Sequence, residues 1–172
     1  MDNHLDKEFT RSIEELYPRL HRAMRAYLAG SNIDPEDLLQ DTFLKAYRNL
    51  DSYRKDSSMY TWLYSIARNL AIDEFRKRKY EKLMSSTPVE DLEISNDDSS
   101  DSDDQTEQEV LMMRKAIAQL PELLRSIVVM KTIDGLSYPE IAEVTGLNIE
   151  TVKNRMFRAR KELADNMKQM RV

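Results

Sequence analysis

Between Ser137 and Leu163 the chain reads SYPEIAEVTGLNIETVKNRMFRARKEL, two short helical patterns on either side of one glycine. Few arrangements fit such a stretch. Ser137, with Glu140 three residues on, makes a capping box for the first helix, whose apolar side is Ile141, Ala142 and Val144. Thr145-Gly146-Leu147 interrupts the pattern, and Gly146 can take a positive φ there at little cost. Asn148 suits the N-cap of a second helix. Along that helix Val152, Met156, Ala159 and Leu163 form one buried stripe at helical spacing. Lys153, Asn154, Arg155, Arg158 and Lys161 lie mostly off the stripe, and the small Ala142 lets the two helices approach closely. A packed back with a basic, hydrogen-bonding front is the form of a helix-turn-helix that reads the major groove. The plainer reading is a helical hairpin with a solvated basic face. The small residue, turn glycine and apolar anchor occurring together at this spacing favour DNA.

The net charge of −5 argues against nucleic acid only until it is divided along the chain. Residues 1–84 carry 15 Lys and Arg against 14 Asp and Glu, and residues 110–172 carry 11 against 7. The segment 85–109 carries no base and 10 acids, so the acidity belongs to one short stretch. The flanking units are neutral or basic, as local DNA-contacting faces require. With no cysteine, disulfides and thiolate-ligated metals are excluded. His4 and His21 sit near the N-terminus, where they read as solvated surface. Three glycines without a Gly-rich loop leave no phosphate-binding fingerprint. No catalytic, cofactor or metal site is expected. The absence of a membrane-length apolar run or a signal-peptide pattern points to a cytoplasmic protein without membrane insertion.

At this length the chain can form one domain or two small ones. Phe9, Ile13, Leu16, Tyr17, Leu20, Met24, Tyr27 and Leu28 hold a helical period, and Pro18 predicts a kink or a break into two helices. Asp34-Pro35-Glu36-Asp37 is a strong helix start, followed by a stripe of Leu39, Phe43, Ala46, Tyr47 and Leu50. The opposite face carries Asp37, Gln40, Asp41, Leu44, Lys45 and Arg48. A lone exposed Leu44 is ordinary, yet between Gln40 and Asp41 it could anchor a partner helix.

A polar loop over 51–58 precedes a long helix from about Met59 to Lys82, with Leu63, Ile66, Ala67 and Leu70 inward and a strongly basic second half. Those charges could simply complement the helix dipole. Beside a loop and the aromatics Tyr60 and Trp62, they equally suit unstacked bases and phosphates. Residues 85–109, rich in Ser, Asp and Glu, read as a disordered, extended linker. Beyond it Val110, Met113, Ile117 and Leu120 make a helix, and Pro121 opens another with Leu124, Ile127 and Val128 inward. Asp134-Gly135 ends that helix before the helix-turn-helix. The expected fold is all-α: two small helical domains, 1–84 and 110–172, joined by a flexible acidic linker, with the helix-turn-helix in the second.

Three ordered motifs carry a resemblance: DPEDLLQDTFLKAY at 34–47, TWLYSIARNLAIDEFRKRK at 61–79 and LSYPEIAEVTGLNIETVKNRMFRARKEL at 136–163. Over nearly its whole length the chain resembles an extracytoplasmic-function (ECF) sigma factor of the sigma-70 family. The resemblance implies a promoter-specificity subunit of bacterial RNA polymerase, with residues 1–84 as region 2 and 110–172 as region 4. Its partners would be core polymerase (the β′ clamp helices and the β subunit), promoter DNA and an anti-sigma factor. Asp37, Gln40, Asp41 and Leu44 would dock on the clamp helices. Tyr60, Arg68, Asn69, Asp73, Arg76 and Arg78 would line the −10 strand, with a flipped base against the loop. Thr151, Lys153, Asn154, Arg155 and Arg158 would read the −35 element, and the linker would thread the RNA exit channel. Where the family often has Phe before Thr-Trp-Leu, this chain offers Met59 and Tyr60. Trp62 reads as core rather than a stacking platform. The rival is a helix-turn-helix regulator that binds its operator without polymerase.

Overall fold

The computed structural model describes residues 3–85 and 104–171. Most of the acidic segment expected to be disordered, 86–103, lies outside the described residues. Among the described residues the fold is all helix and turn.

Helix α1 spans Asn3–Tyr27 and passes through Pro18 without interruption. This corrects the expected break. Pro18 lies on the exposed side, while Phe9 before it and Leu20, Met24 and Tyr27 after it are buried on one face. Burying side chains of that size stabilises by about 1.5–3 kcal/mol each, enough to offset the roughly 3 kcal/mol cost of an internal proline. Helix α2, Pro35–Arg48, starts as expected: the Asp34 carboxylate accepts the Glu36 N–H at 2.8 Å and Pro35 opens the first turn. Its buried side is Leu38, Leu39, Thr42 and Ala46. Tyr47 faces outward instead, its hydroxyl donating to Asp6 at 3.0 Å.

After a short 3₁₀ turn at Leu50–Ser52, helix α3 runs Met59–Met84, capped by the Ser58 hydroxyl on the Thr61 N–H. Tyr60, Leu63, Tyr64, Ala67, Arg68 and Ala71 are buried, and Ile66 and Leu70 are partly so. Helix α4, Asp104–Ala118, begins inside the segment read as linker and carries Val110, Met113 and Ile117 as expected, with Val110 and Met113 exposed. Only its end, from Ala116, enters the core with Ile117 and Leu120.

Helix α5, Glu122–Val128, continues into a π-helical turn, Val129–Ile133. In that wider turn the Asp134 N–H reaches back five residues to the Val129 carbonyl at 3.0 Å. The helix-turn-helix follows as α6, Tyr138–Thr145, and α7, Ile149–Met170. The Ser137–Glu140 capping box is present, Gly146 is left-handed at φ 71°, and the Asn148 side chain accepts the Thr151 N–H at 2.7 Å. Val152, Met156 and Ala159 are buried against Ile141 and Val144, and Leu163 packs at the edge. The helix runs past Leu163 to Met170, and Asn166 there donates to the Ala116 carbonyl of α4 at 3.3 Å.

The two halves pack on each other. Helix α3 lies against α6, and α1 against α4 and the π turn, so one buried apolar cluster runs through both units.

Candidate polymerase and nucleic-acid interface

Four outward residues of α2 form the first face. Asp37, Gln40, Asp41 and Leu44 fall at i, i+3, i+4 and i+7, and all are exposed. Leu44 is 55% exposed while its neighbours Leu38 and Leu39 are buried, so the helix presents one apolar side chain among acids and an amide. That arrangement suits a basic surface with a pocket for one leucine.

The second face is split. Asn69, Asp73 and Arg76 share one exposed side of α3 at helical spacing, and exposed Arg78 lies 3.7 Å from the Glu74 carboxylate. Tyr60 and Arg68 are not with them. They are 3% and 6% exposed and point into the contact between the two halves. The Tyr60 hydroxyl donates to Asp134, whose carboxylate also accepts from Arg19 Nε at 2.9 Å. Arg19 Nη2 adds a bond to the Asp134 carbonyl at 3.1 Å, and its guanidinium lies 3.8 Å from the centre of the Tyr60 ring. Burial, then the bond to Asp134, hold the Tyr60 phenol far above its ordinary range, so it stays a neutral donor. Arg68 Nη2 lies 3.9 Å from Glu122, which also accepts from the Tyr27 hydroxyl. Arg125 lies over the rings of Tyr27 and Phe75 at 5.8 and 5.4 Å from their centres.

The loop before α3 is ordered by its own contacts. The Tyr53 hydroxyl donates to the Ser57 carbonyl at 2.7 Å, and its ring packs on half-buried Trp62 at 5.0 Å. Trp62 in turn rests on the core, as its flanking positions suggested. Lys55 holds a left-handed backbone at φ 60°, a conformation uncommon outside glycine that sets the sharp turn of this loop.

The third face belongs to α7. Lys153, Asn154 and Arg158 are exposed, whereas Thr151 and Arg155 are partly buried at its edge. Sequence reasoning missed Phe157, which is 73% exposed among them, one turn from Lys153 and Lys161. An apolar residue off the buried stripe was the available signal. Among the described residues, no three His, Asp or Glu side chains are grouped as metal ligands, and no helix is long and apolar enough to cross a membrane.

A helix-turn-helix packed on a second helical unit with a basic helix of its own defines an all-helical DNA-binding protein. The family model for Sigma-70 region 2 matches residues 13–80, and that for Sigma-70, region 4 matches 110–163. The ECF RNA polymerase sigma-E factor of Salmonella typhimurium is 39% identical over 142 residues, 77% of this chain and 73% of that protein. The RNA polymerase sigma-H factor of Pseudomonas aeruginosa is 35% identical over 137 residues, 76% of this chain and 71% of that protein. A solved structure of the sigma factor RpoE in complex with the anti-sigma factor NepR, from Bartonella quintana, is similar at a TM-score of 0.77 and 31% identity. It covers 94% of this chain and 98% of that one. The chain belongs to the sigma-70 family, within its extracytoplasmic-function group. It is an alternative sigma factor, a subunit through which RNA polymerase recognises promoters.

Proposed function

We propose that three faces divide the work of initiation. The α2 face of Asp37, Gln40, Asp41 and Leu44 docks on the β′ clamp helices of core polymerase. Helix α3 and the loop before it take the −10 element as a single strand, with Asn69, Asp73, Arg76 and Arg78 along the strand and Tyr60 and Arg68 beside it. Helix α7 enters the major groove at the −35 element with Thr151, Lys153, Asn154, Arg155 and Arg158. The observation that carries this reading is the exposure of Lys153, Asn154 and Arg158 on a helix whose opposite side is locked to α6.

The chain itself is not an enzyme on this reading. Strand opening needs only binding that favours unstacked over stacked bases, and nucleotide addition belongs to polymerase. The protein works in the cytoplasm. Its activity is set by an anti-sigma factor, a reading supported by the likeness across both halves to a sigma factor solved with such a partner. The experiment is to add the purified protein to core polymerase and map transcript starts on genomic DNA. Starts at a common pair of spaced elements, absent without the protein, are the expected result. Tight operator binding without core, and no new starts with it, would instead identify a free-standing regulator.

A further inference from the structure

A cavity of about 590 Å³ lies between the end of α1, the loop into α2, and α4. None of the residues assigned above to polymerase or promoter lines it. Its size suits a small molecule, since ligand pockets run from about 300 to 1,000 Å³. The floor is aliphatic, with Leu28, Ile33, Ile117 and Ile133. The polar wall is cationic: Arg22 and Arg25 come from α1 and Arg114 from α4, and no carboxylate residue lines it. Of the acids beside Pro35, Asp34 accepts the Glu36 N–H at 2.8 Å and Glu36 lies 4.0 Å from His21 Nε2.

Arg25 is partly buried, yet neither it nor Arg22 has a hydrogen-bond or ion-pair partner among the described residues. A guanidinium taken partly out of water without an anion favours a ligand that brings one. The His21 ring, also on the cavity wall, is stacked on Tyr17 at 5.5 Å between centres and 21° between planes. Gly30 lines the cavity with main chain alone, and a Cβ there would stand 3.3 Å from Ala118 Cβ. The loop therefore closes on α4 and offers peptide groups at that end. A flat ring with polar edges suits these surfaces, and a phosphate chain suits the arginines.

We propose that this cavity binds a nucleoside polyphosphate, with its base over the aliphatic floor beside His21 and its phosphates on Arg22, Arg25 and Arg114. An acyl chain would use the floor but leave the ring and the peptide groups unmatched. Inorganic phosphate would use the arginines and leave the floor wet. Because these residues have no part in the three faces, the site stands or falls independently of them.

The test is fluorescence anisotropy of the full chain with N-methylanthraniloyl-labelled GTP and ATP. Saturable binding is expected, competed by the unlabelled nucleotide far better than by its nucleoside or by inorganic tripolyphosphate. Arg22→Gln and Arg25→Gln each remove a charge-assisted contact and should weaken binding about tenfold. Ala29→Leu keeps every charge, fills part of the cavity and should weaken binding too. Arg11→Gln removes a charge from α1 outside the cavity, where Arg11 pairs with Glu15, and should change nothing. Circular dichroism checks folding, and the exposed position of Arg22 keeps one variant readable should the others unfold. No saturable binding below millimolar nucleotide, or an equal loss with Arg11→Gln, overturns the site. Equal displacement by tripolyphosphate overturns the nucleoside part. Equal displacement by a short single-stranded DNA overturns the small ligand and gives the arginines to a nucleic-acid backbone instead.

Discussion

Ser137 and Glu140 close a reciprocal pair at the start of α6. The Glu140 N–H donates to Ser137 Oγ at 3.2 Å, and the Ser137 N–H donates to Glu140 Oε2 at 2.7 Å. That backbone bond is the main reason the Glu140 carboxyl titrates below the ordinary glutamate range. A depressed folded pKa means its contribution is present above about pH 4.3, the unfolded value, and is lost as pH falls through the folded one. Urea unfolding of wild type and Glu140→Gln should therefore converge as pH drops through the carboxylate range. Ser137→Ala should cost about 1 kcal/mol at neutral pH. Parallel profiles for wild type and Glu140→Gln would remove the capping box from the acid response.

Tyr27, Tyr60 and Tyr64 give the opposite sign. Burial is the first cause in all three, and each phenol is pushed far above its usual 10.0. A raised folded pKa gives stability that is present below the unfolded value and lost as pH rises above it. The packing of the two halves should weaken above about pH 10. Phenolate absorbance from these three residues should appear together with loss of helical signal. Their smooth ionisation in a chain that stays folded would show that the interface already opens to water.

The α2 face allows a cleaner separation of folding from binding, because Leu44 and Asp41 are both exposed. Leu44→Ala or Asp41→Lys should leave thermal stability unchanged and weaken association with core polymerase. Burying a leucine at an interface is worth about 2 kcal/mol, roughly thirtyfold in affinity. Competition binding on core enzyme is the measurement. Wild-type affinity in both variants would place docking elsewhere.

Local chemistry explains which parts were legible in the residues alone. Asp34 and Pro35, the Ser137 box, Gly146 and Asn148 act within a few residues of themselves, and each does what its type predicts. Pro18 does not break its helix, because packing on both sides of it outweighs a local propensity. Val110 and Met113 do form a helix as their period predicts, but period alone does not say how far that helix has reached into the core. The Asp134 site left no trace of its kind. Asp134-Gly135 reads as a turn, and does end the π turn, yet its partner Arg19 is 115 residues away. Tyr60 and Arg68 were recognisable as chemistry, but nothing near them in sequence marks the half that covers them. Phe157 stands out in the sequence as an apolar residue off the buried stripe, and it is exposed.

The division of promoter reading between α7 and α3 is the prediction most open to refutation. Base-edge contacts discriminate sequence, whereas phosphate contacts mainly set affinity and its salt dependence. Lys153 is exposed on α7, and Arg155 is partly buried beside it. Changing either should alter preference at the upstream element of duplex DNA, by about 1–3 kcal/mol where a bidentate base contact is lost. Asn69 and Arg76 stand on the exposed side of α3, away from the closed interface. Changing them should impair open-complex formation or single-strand binding near the −10 element, and leave upstream preference intact. Phe157→Ala should shift preference with the α7 group, since its ring is exposed among those side chains. A randomised-promoter selection with wild type and each variant, on one core enzyme, reads all of these together. If variants of α3 and α7 shift preference at the same promoter positions, the two helices do not divide the reading, and the separate roles assigned to the two halves fall.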